Sequence, residues 1–243
     1  MLAAEALVLP GRLRGVSLNL RAGEVTAICG PNGAGKSSLL SCLAGLLAPT
    51  KGAVTLDDAP LAAMHPEARA RALGYLPQTP EVAWDVSVQT LASLGRLPWR
   101  SSAAEDSAAI DAALDALDLP AFAHRPISQL SGGERARALL ARVLAGTPRW
   151  LLADEPLANL DLAHQLALLG HLRACAARGM GVVLVLHDLA LAMNHADRVV
   201  VLEQGALAAD GPPDLALAEP VIAKVWNVPA RWLGEPGARA LAV

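Results

Sequence analysis

Residues 30–37 read Gly-Pro-Asn-Gly-Ala-Gly-Lys-Ser and match the pattern G-x-x-x-x-G-K-[ST]. The pattern works in one setting, a loop that leaves a β-strand and opens a helix, so it fixes the local fold around it. Both flanks fit. Residues 25–29 form an apolar, strand-like run, and Leu39, Leu40, Leu43, Leu46 and Leu47 recur at helical spacing over 35–47, before Pro49 and Gly52. The glycines allow backbone N–H groups to close around dense negative charge, and the helix N-terminus adds partial positive charge. Lys36 is placed to reach the outer phosphates of a nucleoside triphosphate, and the Ser37 hydroxyl to ligate Mg²⁺. Gly30, Pro31, Asn32, Gly33, Ala34, Gly35, Lys36, Ser37 and Ser38 are therefore the candidate phosphate contacts.

A second constellation lies far downstream. The apolar run 150–153 ends in Asp154 and Glu155. Alternation along a strand sends neighbouring side chains to opposite faces, so the two acids can serve different roles. Asp154 would hold Mg²⁺, and Glu155 would polarise an attacking water as general base. In isolation such a pair also reads as a solvated strand end. Beside a phosphate loop the chemical reading is preferred.

The rest of the chain alternates. Strands are expected at 16–20, 25–29, 54–56, 150–153, 182–186 and 198–202, and helices at 35–47, 162–178 and 188–195, followed by a helical tail. That alternation predicts a mostly parallel sheet with helices on both faces. From about Val86 to Leu130 the texture differs: the stretch is Ala-rich and helical, and Ile110, Leu114 and Leu117 mark one apolar face. A break rich in Pro, Arg and Ser falls at 97–102, and the whole reads as a helical insertion.

The bulk properties exclude several classes. At 243 residues with 53% hydrophobic content the chain can bury a substantial core, yet its apolar runs are far shorter than the about 20 residues a bilayer demands. The N-terminal segment has Glu5 and no basic lead, so no secretory signal is expected. A net charge of −3 gives no general attraction to nucleic acid or anionic lipid. Cys29, Cys42 and Cys175 form no CxxC pair and read as reduced, buried thiols.

Leu130-Ser-Gly-Gly-Glu134 heads a helix that is expected to run through Arg142. Ser131 and Glu134 form a capping box, which alone would explain a good helix start. The paired glycines suggest more, a helix N-terminus bare enough to meet an anion. With this motif the chain resembles the ATP-hydrolysing subunits of ABC transporters over nearly its whole length. The remaining family markers follow in order: Gln78 in Tyr75-Leu-Pro-Gln78, Asn159-Leu-Asp161, and His187 in Leu184-Val-Leu-His187-Asp188.

The resemblance implies an α/β fold: a P-loop NTPase (RecA-like) core with a mostly parallel sheet and an antiparallel β segment near the N-terminus. Within a single domain spanning 1–243, residues 86–147 would be the helical subdomain. It implies a head-to-tail homodimer in which ATP and Mg²⁺ lie between the phosphate loop of one protomer and the signature helix of the other. Ser131, Gly132 and Gly133 would then face the partner's ATP. Gln78 would touch the metal and attacking water, His187 would hold the γ-phosphate and orient Glu155, and Asp161 would link the two sites. Transmembrane permease subunits, a substrate-binding protein and a peripheral location on the cytoplasmic face of the cell membrane are further implications. No nucleic-acid partner is expected. ABC ATPases of DNA repair carry a long coiled-coil insertion, and those of translation carry two such domains; this chain shows neither.

One departure concerns the base. The family usually stacks adenine on an aromatic near the N-terminus, but residues 1–29 contain no Phe, Tyr, Trp or His. Leu9, Pro10 or Arg12 is left to contact it, with weaker base selectivity expected. Leu94-Gly-Arg96-Leu-Pro98, together with the segments 211–214 and 225–228, resembles the importers of iron–siderophore, haem and cobalamin. Arg96 and Pro98 also read as a helix stop with a solvated charge, and Trp99 as a cover for the lobe's own core or a contact for a membrane-subunit helix.

Overall fold

The computed structural model describes residues 1–78, 82, 84–158 and 160–243. Asn159, part of the Asn-Leu-Asp motif, lies outside the described residues.

Six strands build the central sheet: β3 (Val25–Cys29), β6 (Leu73–Leu76), β7 (Trp150–Asp154), β8 (Gly181–Val185), β9 (Arg198–Glu203) and β10 (Ala206–Gly211). Their order is β10-β9-β3-β8-β7-β6, parallel except for the edge strand β10. Every residue of β3, β7 and β8 is buried, as expected of strands covered on both faces. Alternation divides them between two cores. Val25, Ala27 and Cys29 face one apolar cluster, shared with the helices; Ile28 faces the other, shared with the N-terminal sheet.

That N-terminal sheet has the order β2-β1-β4-β5, from β1 (Leu2–Leu9), β2 (Leu13–Leu20), β4 (Lys51–Leu56) and β5 (Ala59–Pro60), all antiparallel. The expected antiparallel segment is present, with one more long strand than the sequence pattern indicates. β1 escapes the pattern because it is bulged. Ala6 has φ 48°, and the register with β2 shifts between Ala4 and Leu7. The period-2 alternation breaks there, so residues 2–9 do not read as one strand. Gly52 is fixed by the same bulge: a Cβ there would lie 2.3 Å from the Glu5 carbonyl oxygen.

Other elements depart from expectation. The phosphate-loop helix α1 (Lys36–Leu43) ends before residue 47, where Gly45 turns left-handed at φ 68°. Helix α2 (Pro66–Ala72) and β6 lack a distinctive period; they are short and lie between turns. The tail is not simply helical. After β10 come α8 (Pro213–Ala216) and α9 (Glu219–Trp226), then a hairpin of β11 (Arg231–Leu233) and β12 (Ala240–Ala242).

Helices α3 (Val88–Ser93), α4 (Ala103–Asp115) and α5 (Gly132–Ala145) pack on one another, and their apolar faces join the same cluster as β3, β7 and β8. Arg96 corrects the reading of a solvated charge. It is only 8% exposed and donates to Asp106 at 2.7 Å, Ser101 at 3.0 Å and the Ala145 carbonyl at 3.1 Å. Its guanidinium lies 4.6 Å from the Trp99 ring centroid, and the Trp99 indole N–H donates to the Gly146 carbonyl at 3.0 Å. A cation at the carbonyl end of α5 is favourable electrostatically, so this stretch fastens α3 and α4 to the far end of the signature helix. Gly95 allows the approach: a Cβ there would sit 2.0 Å from the Arg142 carbonyl oxygen. We expect Gly95→Ala to lower stability by about 1–3 kcal/mol, the usual range for overpacking, read as an earlier urea midpoint with an unchanged slope.

Candidate functional site

The parallel strands aim their C-terminal ends at one edge. Ile28 pairs with Val185, and Val185 with Asp154, so the segments that follow β3, β7 and β8 leave the sheet side by side. These segments carry the phosphate loop, Glu155 and His187. In open α/β sheets this carboxyl edge is where ligands sit.

The phosphate loop folds back over its strand. Gly30 (φ 149°) approaches β9 so closely that a Cβ would lie 2.2 Å from the Leu202 carbonyl oxygen. Gly35 (φ 98°) is pressed against Arg12, whose carbonyl oxygen would be 2.5 Å from an added Cβ. Side chains at these two positions would open the loop. Lys36 is buried, 6% exposed, and its ammonium donates to the carbonyls of Gly30 at 2.9 Å and Pro31 at 3.0 Å. Burial pulls its pKa below the ordinary lysine value, offset in part by Glu155. The Ser37 hydroxyl donates to Asp154 Oδ1 at 3.2 Å. Asp154 is 4% exposed, and burial pushes its carboxyl above the usual range despite that hydrogen bond. Both shifts are the electrostatic cost of burying charges that a phosphate–cation guest would compensate.

Glu155 sits one residue past β7 with φ 51°, a left-handed conformation unusual for glutamate. Its two carboxylate oxygens have separate partners. Gln78 Nε2 donates to Oε2 at 2.6 Å, and His187 Nε2 hydrogen-bonds Oε1. Gln78 arrives on the segment after β6 and His187 on the segment after β8, so residues far apart in sequence meet on one carboxylate.

A cavity of about 550 Å³ opens over the phosphate loop, bounded by Gly11, Arg12, Glu155 and His187 as well as the loop itself. Of the three candidates for the base, Arg12 lines this cavity. Its guanidinium lies 3.4 Å from the Ser38 hydroxyl, while Leu9 packs against the N-terminal core. Gly205 escapes sequence reasoning. It is far away in sequence, yet a Cβ there would lie 2.5 Å from the Arg12 carbonyl oxygen, and its own carbonyl accepts from Arg14 N–H at 2.7 Å.

The signature residues lie elsewhere in the protomer. A smaller cleft, about 150 Å³, runs between Gln78, Gly132, Arg135 and Leu160, and Glu155 borders both it and the phosphate cavity. Ser131 caps α5: its hydroxyl accepts from Glu134 N–H at 3.3 Å, and Glu134 returns a carboxylate to Ser131 N–H at 2.8 Å. The two glycines after it differ, which the sequence does not reveal. An added Cβ at Gly132 would meet nothing within 4 Å, whereas Gly133 is packed against His164. Asp161 caps α6 (Leu162–Ala177) by accepting from His164 N–H at 2.9 Å. All three cysteines are free and buried, and burial raises the Cys29 thiol to about 12, so it is inert as a nucleophile.

The profile of the family described as ABC transporter matches residues 13–158. A hemin import ATP-binding protein, HmuV, of Rhodococcus jostii (strain RHA1) is 44% identical over 223 residues, 91% of this chain and 76% of that protein. An inward-facing metal-chelate type ABC transporter, described as putative, superposes with a TM-score of 0.84 at 25% identity, covering 99% of this chain and 95% of that one. A dimeric bacterial ABC transporter cassette superposes with a TM-score of 0.78 at 26% identity, covering 88% and 99% respectively. Motif, strand order and these likenesses agree, and the chain belongs to the ABC transporter family as an ATP-hydrolysing subunit.

Proposed function

We propose that this subunit energises the import of haem or a related iron chelate, using two ATP molecules held between head-to-tail copies of itself. The observation that carries the site assignment is Glu155, gripped at both oxygens by Gln78 and His187 beside the phosphate cavity. A carboxylate so held is oriented before the reaction begins and needs little reorganisation during it.

In this reading ATP lies on residues 30–38 with its outer phosphates at Lys36. Charge-assisted contacts replace the two carbonyls that hold the ammonium in the free chain. Mg²⁺ fits the oxygen donors Ser37 and Asp154, with Gln78 nearby. Among the described residues no group of three or more His, Cys, Asp or Glu side chains gathers to hold a metal, in keeping with a cation that keeps waters and takes its other ligands from phosphate. When bound, the ion neutralises phosphate charge. Glu155 accepts the proton of the attacking water, His187 holds Glu155 and meets the γ-phosphate, and Gln78 steers the water. Ser131, Gly132 and Gly133 close over the partner's nucleotide, and Asp161 lies where the two sites meet. Binding thus draws two protomers together and hydrolysis releases them.

Residues 86–147 form the helical subdomain in this reading. Its exposed Trp84 border and Leu97 (79% and 78% accessible) offer apolar surface to the permease subunits. Among the described residues no helix is long and apolar enough to cross a membrane. In this reading the chain docks on those subunits from the cytoplasmic face. A substrate-binding protein delivers cargo on the other side. The cargo assignment is supported by the likeness to hemin import proteins. A deletion strain should lose growth on haem as sole iron source and regain it with the wild-type gene but not with Glu155→Gln. Undiminished growth of the deletion strain on haem would reassign the cargo.

Arg12 replaces the missing aromatic as a guanidinium platform for adenine. Stacking of this kind discriminates weakly between purines. We expect ATPase and GTPase to have similar kcat/KM values, and Arg12→Ala to raise the half-saturating concentration of both about threefold to tenfold. A strong preference for ATP that survives the substitution would exclude Arg12 from this role.

A further inference from the structure

Gly133 carries a constraint that facing a nucleotide does not explain. A Cβ added there would lie 2.0 Å from His164 Cδ2 and 2.5 Å from His164 Cγ. The imidazole therefore rests directly against the Gly133 α-carbon, and no other residue type fits while the ring stays in place. The same ring makes a second contact: His164 Nδ1 lies 2.6 Å from Asp161 Oδ1, the oxygen that also accepts the His164 backbone N–H at 2.9 Å. One side chain thus spans two segments, the start of α5 and the start of α6, 30 residues apart in sequence. Its neighbour Gly132 touches nothing at the corresponding position, so the packing is specific to the second glycine.

We propose that His164 is a positioning residue that locks the signature loop to Asp161, so that both present to the partner protomer as one rigid unit. The proposal rests on the head-to-tail reading above. In that arrangement the signature loop meets one nucleotide while Asp161 lies toward the junction with the other site. A ring wedged between them fixes their spacing, and the two sites close together rather than one at a time. A residue that merely capped α6 would need only the Asp161 contact; the seat against Gly133 adds the link between segments.

The test uses the full-length chain carrying Glu155→Gln, which holds ATP without turning it over. ATP-dependent dimerisation is measured by sedimentation, binding of a fluorescent ATP analogue is measured at protein concentrations below dimerisation, and thermal unfolding is followed without nucleotide. His164→Ala removes both ring contacts and should weaken ATP-dependent dimerisation about tenfold, because the free protomer then holds the signature loop and Asp161 at the competent spacing only about a tenth of the time. Analogue binding by the monomer should be unchanged, and the unfolding temperature should fall by no more than about 2–4 °C, the loss of one side chain's contacts within the protomer. His164→Asn keeps an N–H donor for Asp161 but loses the ring that rests on Gly133, and should dimerise no better than His164→Ala. Unchanged dimerisation in His164→Ala would overturn the proposal. So would a fall in monomer binding that matches the fall in dimerisation, which marks a purely structural residue, or an Asn variant that dimerises as well as the parent. If the Glu155→Gln parent itself stays monomeric with ATP, the head-to-tail reading fails first and takes this proposal with it.

Discussion

Glu155→Gln lowers steady-state ATPase by a factor of about a hundred to ten thousand, the usual contribution of a positioned general base, while ATP binding is retained. The substitution is nearly isosteric, so the packing after β7 and the left-handed backbone at residue 155 survive. What changes is the proton acceptor. An amide presents one oxygen and one N–H₂ group where the carboxylate presents two acceptors, so at least one of the contacts from Gln78 and His187 must rearrange. Lys36, Ser37 and Asp154 are untouched, and nucleotide still binds. The expected signature is a dimer that accumulates with ATP and does not decay. Single-turnover measurement of phosphate release checks it. A variant that hydrolyses ATP at the wild-type rate would remove Glu155 from the chemistry.

Lys36→Ala has the opposite profile. ATP affinity falls about tenfold to a hundredfold, in line with the loss of a charge-assisted contact to phosphate, and turnover falls with it. The fall in affinity comes with little loss of fold stability. In the free chain the ammonium is buried, its pKa lowered by desolvation, and it donates to the Gly30 and Pro31 carbonyls. Removing it relieves that desolvation while taking a donor from the Gly30 carbonyl, the Pro31 carbonyl keeping the Ala34 N–H, and the two effects oppose each other. Calorimetric titration with ATP and thermal unfolding without it separate the two quantities. Unimpaired ATP binding by Lys36→Ala would contradict the phosphate-loop assignment.

What the sequence revealed and what it hid follow from how local each signal is. The phosphate loop is legible because its glycines, lysine and serine are contiguous and its flanks carry opposite periodicities. Glu155 is legible because it ends an apolar strand. The meeting of Gln78 and His187 on that carboxylate is not a local property. It depends on β6, β7 and β8 being neighbours in the sheet, and the resemblance to a family supplied what periodicity does not. The bulge at Ala6 hid β1. Arg96 looked solvated because a single arginine after a helix usually is; its partners Asp106 and Ala145 come from two other helices. His164 gave no signal, since its contact with Gly133 exists only once α5 and α6 are placed together.

The central claim is that each nucleotide is gripped by the loop of one protomer and the signature helix of the other. Two defective chains test it directly, both carrying Glu155→Gln: one with Lys36→Ala, the other with Ser131→Arg. Neither should dimerise with ATP alone. Mixed, they should form an ATP-dependent heterodimer, because pairing the intact loop of one with the intact signature of the other rebuilds one complete site. A mixture that stays monomeric, while the Glu155→Gln parent dimerises, would mean that loop and signature serve the same protomer's nucleotide.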